Sequence, residues 1–219
     1  QKIERGDGTL SLTIADGGVV ESACKTIPIL VKFVDLQIYP EGGDLVANLK
    51  NRVYLQALQT NGKPADLEGS ILSEGSETAV ASFRTEHEGR GRFEFVPESD
   101  KKYFLKITKP AGFEKLYELP AVKPKGAVIR ADKDTYKANE AVVVKVGSTE
   151  GAVRVTLSKK ERELIATDLF LPTAPDSGKS TIPSQAVVLP AGRSADGVLT
   201  VTVYDSNNKP LAERLVFKE

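Results

Sequence analysis

Apolar and polar residues alternate along this chain in short runs separated by turn-forming residues, and that period of two commits it to sheet. Arg52 to Gln59 reads RVYLQALQ, which sets Val53, Leu55 and Ala57 on one face. Val198 to Tyr204 (VLTVTVY) turns Leu199, Val201 and Val203 inward and leaves Thr200 and Thr202 outward. Ala141 to Val146 (AVVVKV) aligns Val142, Val144 and Val146 in the same way. Such alternation over about 5 to 8 residues belongs to half-buried strands of antiparallel sheet. No stretch carries the i, i+3, i+4, i+7 stripe of an amphipathic helix. The nearest, Ser158 to Leu164 (SKKEREL), is charged nearly all round and reads as a hairpin tip. The fold class is all-β.

Turn chemistry marks the joints. Asn61-Gly62-Lys63-Pro64, Glu88-Gly89-Arg90-Gly91 and Asp205-Ser206-Asn207-Asn208-Lys209-Pro210 each follow or precede a strand run, and their Asn and Gly residues tolerate the positive φ of a tight reversal. Between the joints the runs fall into two sets. The first comprises 35–39, 52–59, 67–73, 78–84, 92–96, 103–108 and 113–119; the second 127–131, 141–147, 152–158, 163–170, 179–185, 197–204 and 210–218. Each set has the strand number and length of a seven-stranded immunoglobulin or fibronectin-III-like β-sandwich. Pro120-Ala121-Val122-Lys123-Pro124-Lys125-Gly126 lies between them and predicts a short, stiff linker. Residues 1–33 hold only two runs, Thr9–Ala15 and Val19–Leu30, too few to close a core. The expected organisation is therefore the closing strands of a preceding domain at 1–33, one sandwich at 34–124 and another at 125–219.

Composition removes several functions. Lys+Arg and Asp+Glu both total 30, so no net field draws the chain to nucleic acid or an acidic membrane. One His and one Cys leave little for metal sites or His-based catalysis, and no nucleophile elbow or phosphate loop is present. Trp is absent and aromatics make up 6%, which argues against a sugar-stacking platform. The chain starts at Gln1 and contains no Met, which reads as a piece of a longer protein. The expectation is a non-enzymatic chain with no catalytic residues, no metal and no cofactor.

The segment Val34-Asp35-Leu36-Gln37-Ile38-Tyr39-Pro40-Glu41-Gly42-Gly43-Asp44-Leu45-Val46, with Ile29-Leu30-Val31 before it, resembles the opening of a macroglobulin domain in bacterial alpha-2-macroglobulin-like proteins. The likeness continues through Asn51-Arg52-Val53-Tyr54, Gly62-Lys63-Pro64-Ala65-Asp66-Leu67-Glu68-Gly69, Thr85-Glu86-His87-Glu88-Gly89-Arg90-Gly91 and Phe93-Glu94-Phe95-Val96-Pro97, so it spans 29–97. It returns more weakly at Asp132-Lys133-Asp134-Thr135-Tyr136-Lys137 and Glu140. The resemblance implies macroglobulin-type sandwiches in a periplasmic or extracellular, envelope-associated protein. The implied activity of the whole protein is protease trapping by a bait region and a Cys-Gly/Leu-Glu-Gln thioester. Here Cys24 is followed by Lys25-Thr26-Ile27, so no thioester residue carries over. The implied partners are neighbouring domains of a parent chain and, through the full-length protein, target proteases, with any envelope anchor outside this stretch. The alternative is a stalk or adhesin module built from generic immunoglobulin-like domains.

Several residues invite sharper readings. Asp132-x-Asp134, with Asp7 and Asp16, suggests calcium at a domain junction, yet Lys133 interrupts it and calcium takes about 6 to 8 oxygens. His87 lies in a turn between Glu86 and Glu88, where an exposed, idle imidazole is the commoner case. Cys24 has no His partner and reads as buried or inert. Arg84, Arg90 and Arg92, with Lys101 and Lys102, suggest an anion surface, countered by Glu86, Glu88, Glu94, Glu98 and Asp100. Leu171 to Ser184, rich in Pro, Ser, Thr and Gly, is the nearest thing to a bait loop and reads as an inter-strand connection. Gly42-Gly43 and Tyr136 read as structural: a backbone path closed to larger residues, and a ring on the core edge with a bonded hydroxyl.

Overall fold

A computed structural model describes residues 8–27, 33–175, 181–192 and 195–219. It opens with a hairpin, β1 (Gly8–Asp16) and β2 (Val19–Ile27), paired antiparallel from Gly8↔Ile27 to Asp16↔Val19. Leu10, Leu12 and Ile14 share one face by alternation and remain 55%, 57% and 59% exposed. The end of the run read as Val19–Leu30 lies outside the described residues.

The first sandwich comprises β3 (Val34–Pro40), β4 (Leu45–Val46), β5 (Asn51–Gln59), β6 (Glu68–Ser73), β7 (Ala79–Glu86), β8 (Arg90–Phe95), β9 (Tyr103–Lys109), β10 (Leu116–Glu118) and β11 (Val122–Lys123). Seven of these form one ribbon in the order β10-β9-β6-β7-β8-β5-β3. Strand β7 turns the ribbon over: Ala79 to Arg84 pair with β6, and only Thr85 and Glu86 reach β8. The two layers this makes enclose one core, with Val53, Leu55 and Ala57 of β5 facing Ile71, Leu105 and Ile107 from β6 and β9. Phe95 meets the Tyr103 ring edge-on at 5.0 Å, a favourable aromatic geometry. At the crossing, buried Thr85 donates from its hydroxyl to the Ala65 carbonyl (2.8 Å) and accepts from the Leu67 amide (2.6 Å), satisfying loop groups that have no ladder partner.

The second sandwich has two separate sheets. Strands β12 (Ala127–Ala131), β14 (Val142–Ser148) and β17 (Gln185–Leu189) form one, in the order β12-β14-β17. The other runs β13-β19-β18-β15-β16, from β13 (Thr135–Tyr136), β15 (Ala152–Lys159), β16 (Arg162–Phe170), β18 (Gly197–Tyr204) and β19 (Pro210–Lys218). Val142, Val144 and Val146 face Leu199, Val201 and Val203 across the core, as the alternation predicts. The charged segment 158–164 is a hairpin tip, with Lys159 opposite Arg162. Tyr136 is buried, and its hydroxyl hydrogen faces the Asp132 carboxylate and the Val143 carbonyl, the latter at 2.8 Å. Burial pushes its phenol well above the usual range, and the adjacent Asp132 adds to the shift.

Two runs sit differently from the expectation. Of the strand read at 179–185, residues 179 and 180 lie outside the described part, and among the described residues the strand lies at Gln185–Leu189. Pro183 has no amide hydrogen for a ladder, and the Ile182 amide is spent on the Asn48 carbonyl (2.7 Å) of the other sandwich, so pairing begins only beyond them. The run 113–119 is a strand only at Leu116–Glu118, although Phe113 still fills the first core. The result is an all-β chain of immunoglobulin-like sandwich architecture.

The junction between the sandwiches as the candidate functional site

Strand β3 ends at Pro40, and the chain reverses through Gly42 and Gly43 at φ of 93° and 111°. At Gly42 a side chain is excluded twice. Positive φ disfavours it, and a Cβ would stand 2.9 Å from Ile129 Cγ2 and 3.2 Å from Ala212 Cβ, both in the second sandwich. The bare backbone thus approaches its neighbour closely enough for the Glu213 amide to donate to the Gly42 carbonyl at 3.1 Å.

This approach places Glu41 inside the contact with no side-chain exposure. Its Oε1 accepts from the Ala131 amide (3.1 Å) and lies 3.3 Å from Arg214 Nε; its Oε2 lies 3.4 Å from Arg52 Nη1. Arg52 also donates to the Ala131 carbonyl (3.1 Å) and, through Nε, to Glu94 (2.8 Å). Glu94 receives Lys50 (2.8 Å) and Arg130 Nη1 (3.5 Å). Arg214 lies over the Tyr54 ring with its guanidinium carbon 5.2 Å from the centroid, and it pairs with Asp134. Glu41, Arg52, Tyr54 and Glu94 come from the first sandwich, and Arg130, Ala131, Asp134 and Arg214 from the second. The network is a two-sided clamp.

Its electrostatics are asymmetric. Burial raises the Glu41 carboxyl pKa and outweighs the opposing pull of the Ala131 amide, Arg214 and Arg52. Glu94 is partly exposed; burial pushes it up, but Lys50 and Arg52 prevail and hold it at about 2. For Arg52, burial would lower the pKa, and the bond to Glu94 with the charge of Glu41 keeps it raised. Among the described residues, the buried side-chain polar atoms lacking a hydrogen-bond partner are Glu41 Oε2, Tyr54 Oη, Arg130 Nε and Arg214 Nε. All four belong to this junction. Its ion pairs are close, but their geometry leaves bonding capacity unused, and such capacity is costly in a buried site.

Beside the charged clamp is a dry one. Val46, Leu49, Val128 and Ile182 form a separate buried cluster drawn from both sandwiches. The Asn51 side chain shapes the first-sandwich half, accepting from the Val46 amide (2.9 Å) and donating to the Val46 and Leu49 carbonyls (both 2.8 Å). The inter-sandwich segment belongs to the same assembly. Val122 and Lys123 pair parallel with Leu45 and Val46, and the Ala47 amide donates to the Lys123 carbonyl at 2.9 Å.

Other singled-out residues take bland roles. Asp132 faces the Tyr136 hydroxyl and Asp134 pairs with Arg214, so the two carboxylates are directed at different partners. Asp7 lies outside the described residues, and Asp16 is at the hairpin turn. Cys24 is exposed, unlike the buried alternative, and its Sγ is 3.2 Å from Ser11 Oγ. His87 is exposed in the β7–β8 turn. Arg90 pairs with Glu88 (3.2 Å), Lys101 with Glu98 (2.8 Å) and Lys102 with Glu118 (3.7 Å). Of Leu171–Ser184, residues 176–180 lie outside the described part, and Ile182 docks in the junction. Sequence reasoning passed over Glu41 as a charged partner. The available signal was a carboxylate between Pro40 and two glycines, where close backbone approach is to be expected.

The class defined by these features is a tandem pair of immunoglobulin-like sandwiches joined through a buried, mixed polar and apolar junction. No family model matches the chain, and no curated protein does. Among solved structures, the Escherichia coli adhesin FdeC is similar at 12% identity and a TM-score of 0.33, over 97% of this chain and 74% of that one. Domains 5–6 of the S-layer protein SbsC are similar at 14% identity and a TM-score of 0.39, over 85% and 97%. A mutant Salmonella alpha-2-macroglobulin is similar at 12% identity and a TM-score of 0.30, over 98% of this chain and 18% of that one. At these values the likenesses carry no argument about function, and the sandwich assignment rests on this chain's own strands and cores.

Proposed function

We propose that this chain is a non-catalytic scaffold segment whose task is to hold two sandwiches at one fixed angle. The observation that carries this reading is the burial of Glu41 between Arg52 of its own sandwich and Arg214 and the Ala131 amide of the other. A flexible tether has no need to bury a carboxylate across a domain boundary, because hinge motion would repeatedly expose and desolvate it. In the finer reading, the resemblance over 29–97 makes the segment part of the frame of a bacterial alpha-2-macroglobulin-like protease trap, in the periplasm or outside the cell. Its partners there are adjoining domains, and proteases meet the whole protein rather than these residues. A stalk or adhesin array is the competing reading.

Spin labels test the fixed angle. With Cys24→Ser as background, labels at Lys63→Cys and Lys209→Cys report the distance between the sandwiches by double electron–electron resonance. A single narrow distribution that broadens in Arg214→Ala is expected; a broad distribution in the unaltered junction would overturn the scaffold reading. The finer reading turns on the parent gene. A downstream Cys-Gly/Leu-Glu-Gln supports the trap, whereas a run of near-identical sandwiches ending in a wall anchor supports the stalk.

A further inference from the structure

The hairpin of β1 and β2 has two unlike faces. Residues opposite each other in an antiparallel ladder point the same way. Leu10, Leu12 and Ile14 therefore share a face with Lys25, Ala23 and Glu21, while Ser11, Thr13 and Ala15 share the other with Cys24, Ser22 and Val20. The 3.2 Å contact of Ser11 Oγ with Cys24 Sγ agrees with that division. One face is rich in hydroxyls. The other carries a row of large apolar side chains, each more than half exposed. Two strands alone are marginal in water, so the apolar face calls for a second layer.

The charges on that face indicate what the layer is. Lys25 stands opposite Leu10 and Glu21 opposite Ile14, so neither meets a counter-ion across the hairpin. They lie four residues apart along β2, about 13 Å, too far to pair with each other. A second copy laid face to face can supply both partners, in one of two aligned twofold arrangements. With the axis along the strands, Leu10 falls on Lys25 of the other copy and Ile14 on its Glu21. With the axis across the strands through Leu12 and Ala23, Leu10 falls on Ile14, Leu12 on Leu12, Ala23 on Ala23 and Lys25 on Glu21. The ladder register dictates these matches. The second arrangement alone packs apolar on apolar and sets both charges against their opposites, and symmetry makes each such contact twice. Asp16, at the turn, then falls over the Gly8 end, at the wet rim.

We propose that two copies of this chain associate through these hairpin faces, about a twofold axis at Leu12, into a four-stranded, two-layered sandwich. The partner is a second copy because the face is complementary to itself in both apolar pattern and charge. The association is weak. A patch two strands wide and nine residues long measures about 10 Å by 30 Å, well below a standard stable interface, which puts the dissociation constant on the order of 10–100 μM. This inference goes beyond the scaffold role and does not rest on it.

The test is sedimentation velocity of the full chain from about 1 to 500 μM, which brackets that constant. A reversible monomer–dimer equilibrium is expected. Leu12→Lys, at the axis, should weaken it about tenfold or more, and Thr13→Lys, on the hydroxyl face, should leave it within about twofold. Lys25→Glu and Glu21→Lys should each weaken it about fivefold, since each sets like charges together at two symmetry-related contacts. The double swap Glu21→Lys/Lys25→Glu should restore it to within about twofold, which a merely unfolded hairpin could not do. A monomer at every concentration would overturn the proposal, because the face is then bare or covered within one chain. So would a dimer indifferent to Leu12→Lys, a double swap that fails to restore, or growth beyond the dimer, which signifies edge-to-edge pairing. Loss of the dimer in a chain extended by residues that its gene encodes before Gln1 would assign the face to those residues and overturn it equally.

Discussion

At the scale of single residues, the junction concentrates risk in Glu41. Truncating one member of a buried ionic group leaves the others uncompensated, so Glu41→Ala should cost about 3 kcal/mol in urea denaturation. Glu41→Gln keeps an acceptor for the Ala131 amide and should cost less than half as much. The same residue and Glu94 shape the acid limb in opposite directions. Glu94 has a folded value of about 2 against an ordinary 4.5, so between these values the unfolded chain binds the extra proton. Its stabilisation is therefore present above about pH 4.5 and is lost as pH falls toward 2. Glu41 is raised from 4.5, so the folded chain holds its proton longer, and stability declines as pH rises from 4.5 through the raised value. Stability measured at stepped pH should accordingly lose part of its rise between pH 2 and 4.5 in Glu94→Gln, with the Glu41 variant leaving that rise intact. The sequence marks Gly42 and Gly43 as a special backbone path but hides Glu41, because two of its three partners lie in the other sandwich and no local spacing encodes them.

At the scale of elements, strand β19 shows how a charged residue can be buried on backbone carbonyls, with no counter-ion among the described residues. Lys218 is fully buried, and its ammonium donates to the carbonyls of Lys137 (3.2 Å), Ala138 (2.7 Å) and Glu140 (2.6 Å), fastening the strand end to the loop between β13 and β14. Lys218→Met preserves much of the apolar stem but leaves three carbonyls without their donor. A loss on the order of 3 kcal/mol is expected in urea denaturation, together with faster amide exchange at Phe217, whose amide donates to Asp134. Long alternating runs such as 142–148 and 197–204 were legible because each presents several residues to one core. The two-residue strands β4, β11 and β13 carry no period at all, and they form because neighbouring strands bring partners to them. Of the strand expected at 179–185, the described residues 181–184 lie outside the sheet for a related reason: Ile182 is apolar because it enters the junction, and a single sequence cannot tell that burial from burial in a sheet.

At the scale of the whole molecule, the two cores are separate clusters connected by the small Val46–Leu49–Val128–Ile182 group and the ionic clamp. These couplings should make the sandwiches melt together. Calorimetry of the chain should show one main transition that divides into two in Ile182→Asp/Arg214→Ala, each half keeping its own core. The sandwich count and the approximate strand lengths could be read from turns and alternation, but the union of the two could not, since its residues are scattered from Glu41 to Arg214. The segment between them carries the last consequence. Because Val122 and Lys123 are strand partners of Leu45 and Val46, the connection is itself a piece of the first sandwich. Its length is then not a free variable: one inserted residue would reverse which way each side chain faces and shift every contact beyond it. Insertions should be tolerated in the turns at 61–64 or 205–209 and rejected at 122–126, so that a lineage carrying this pair would exchange or duplicate it whole rather than reshuffle its halves.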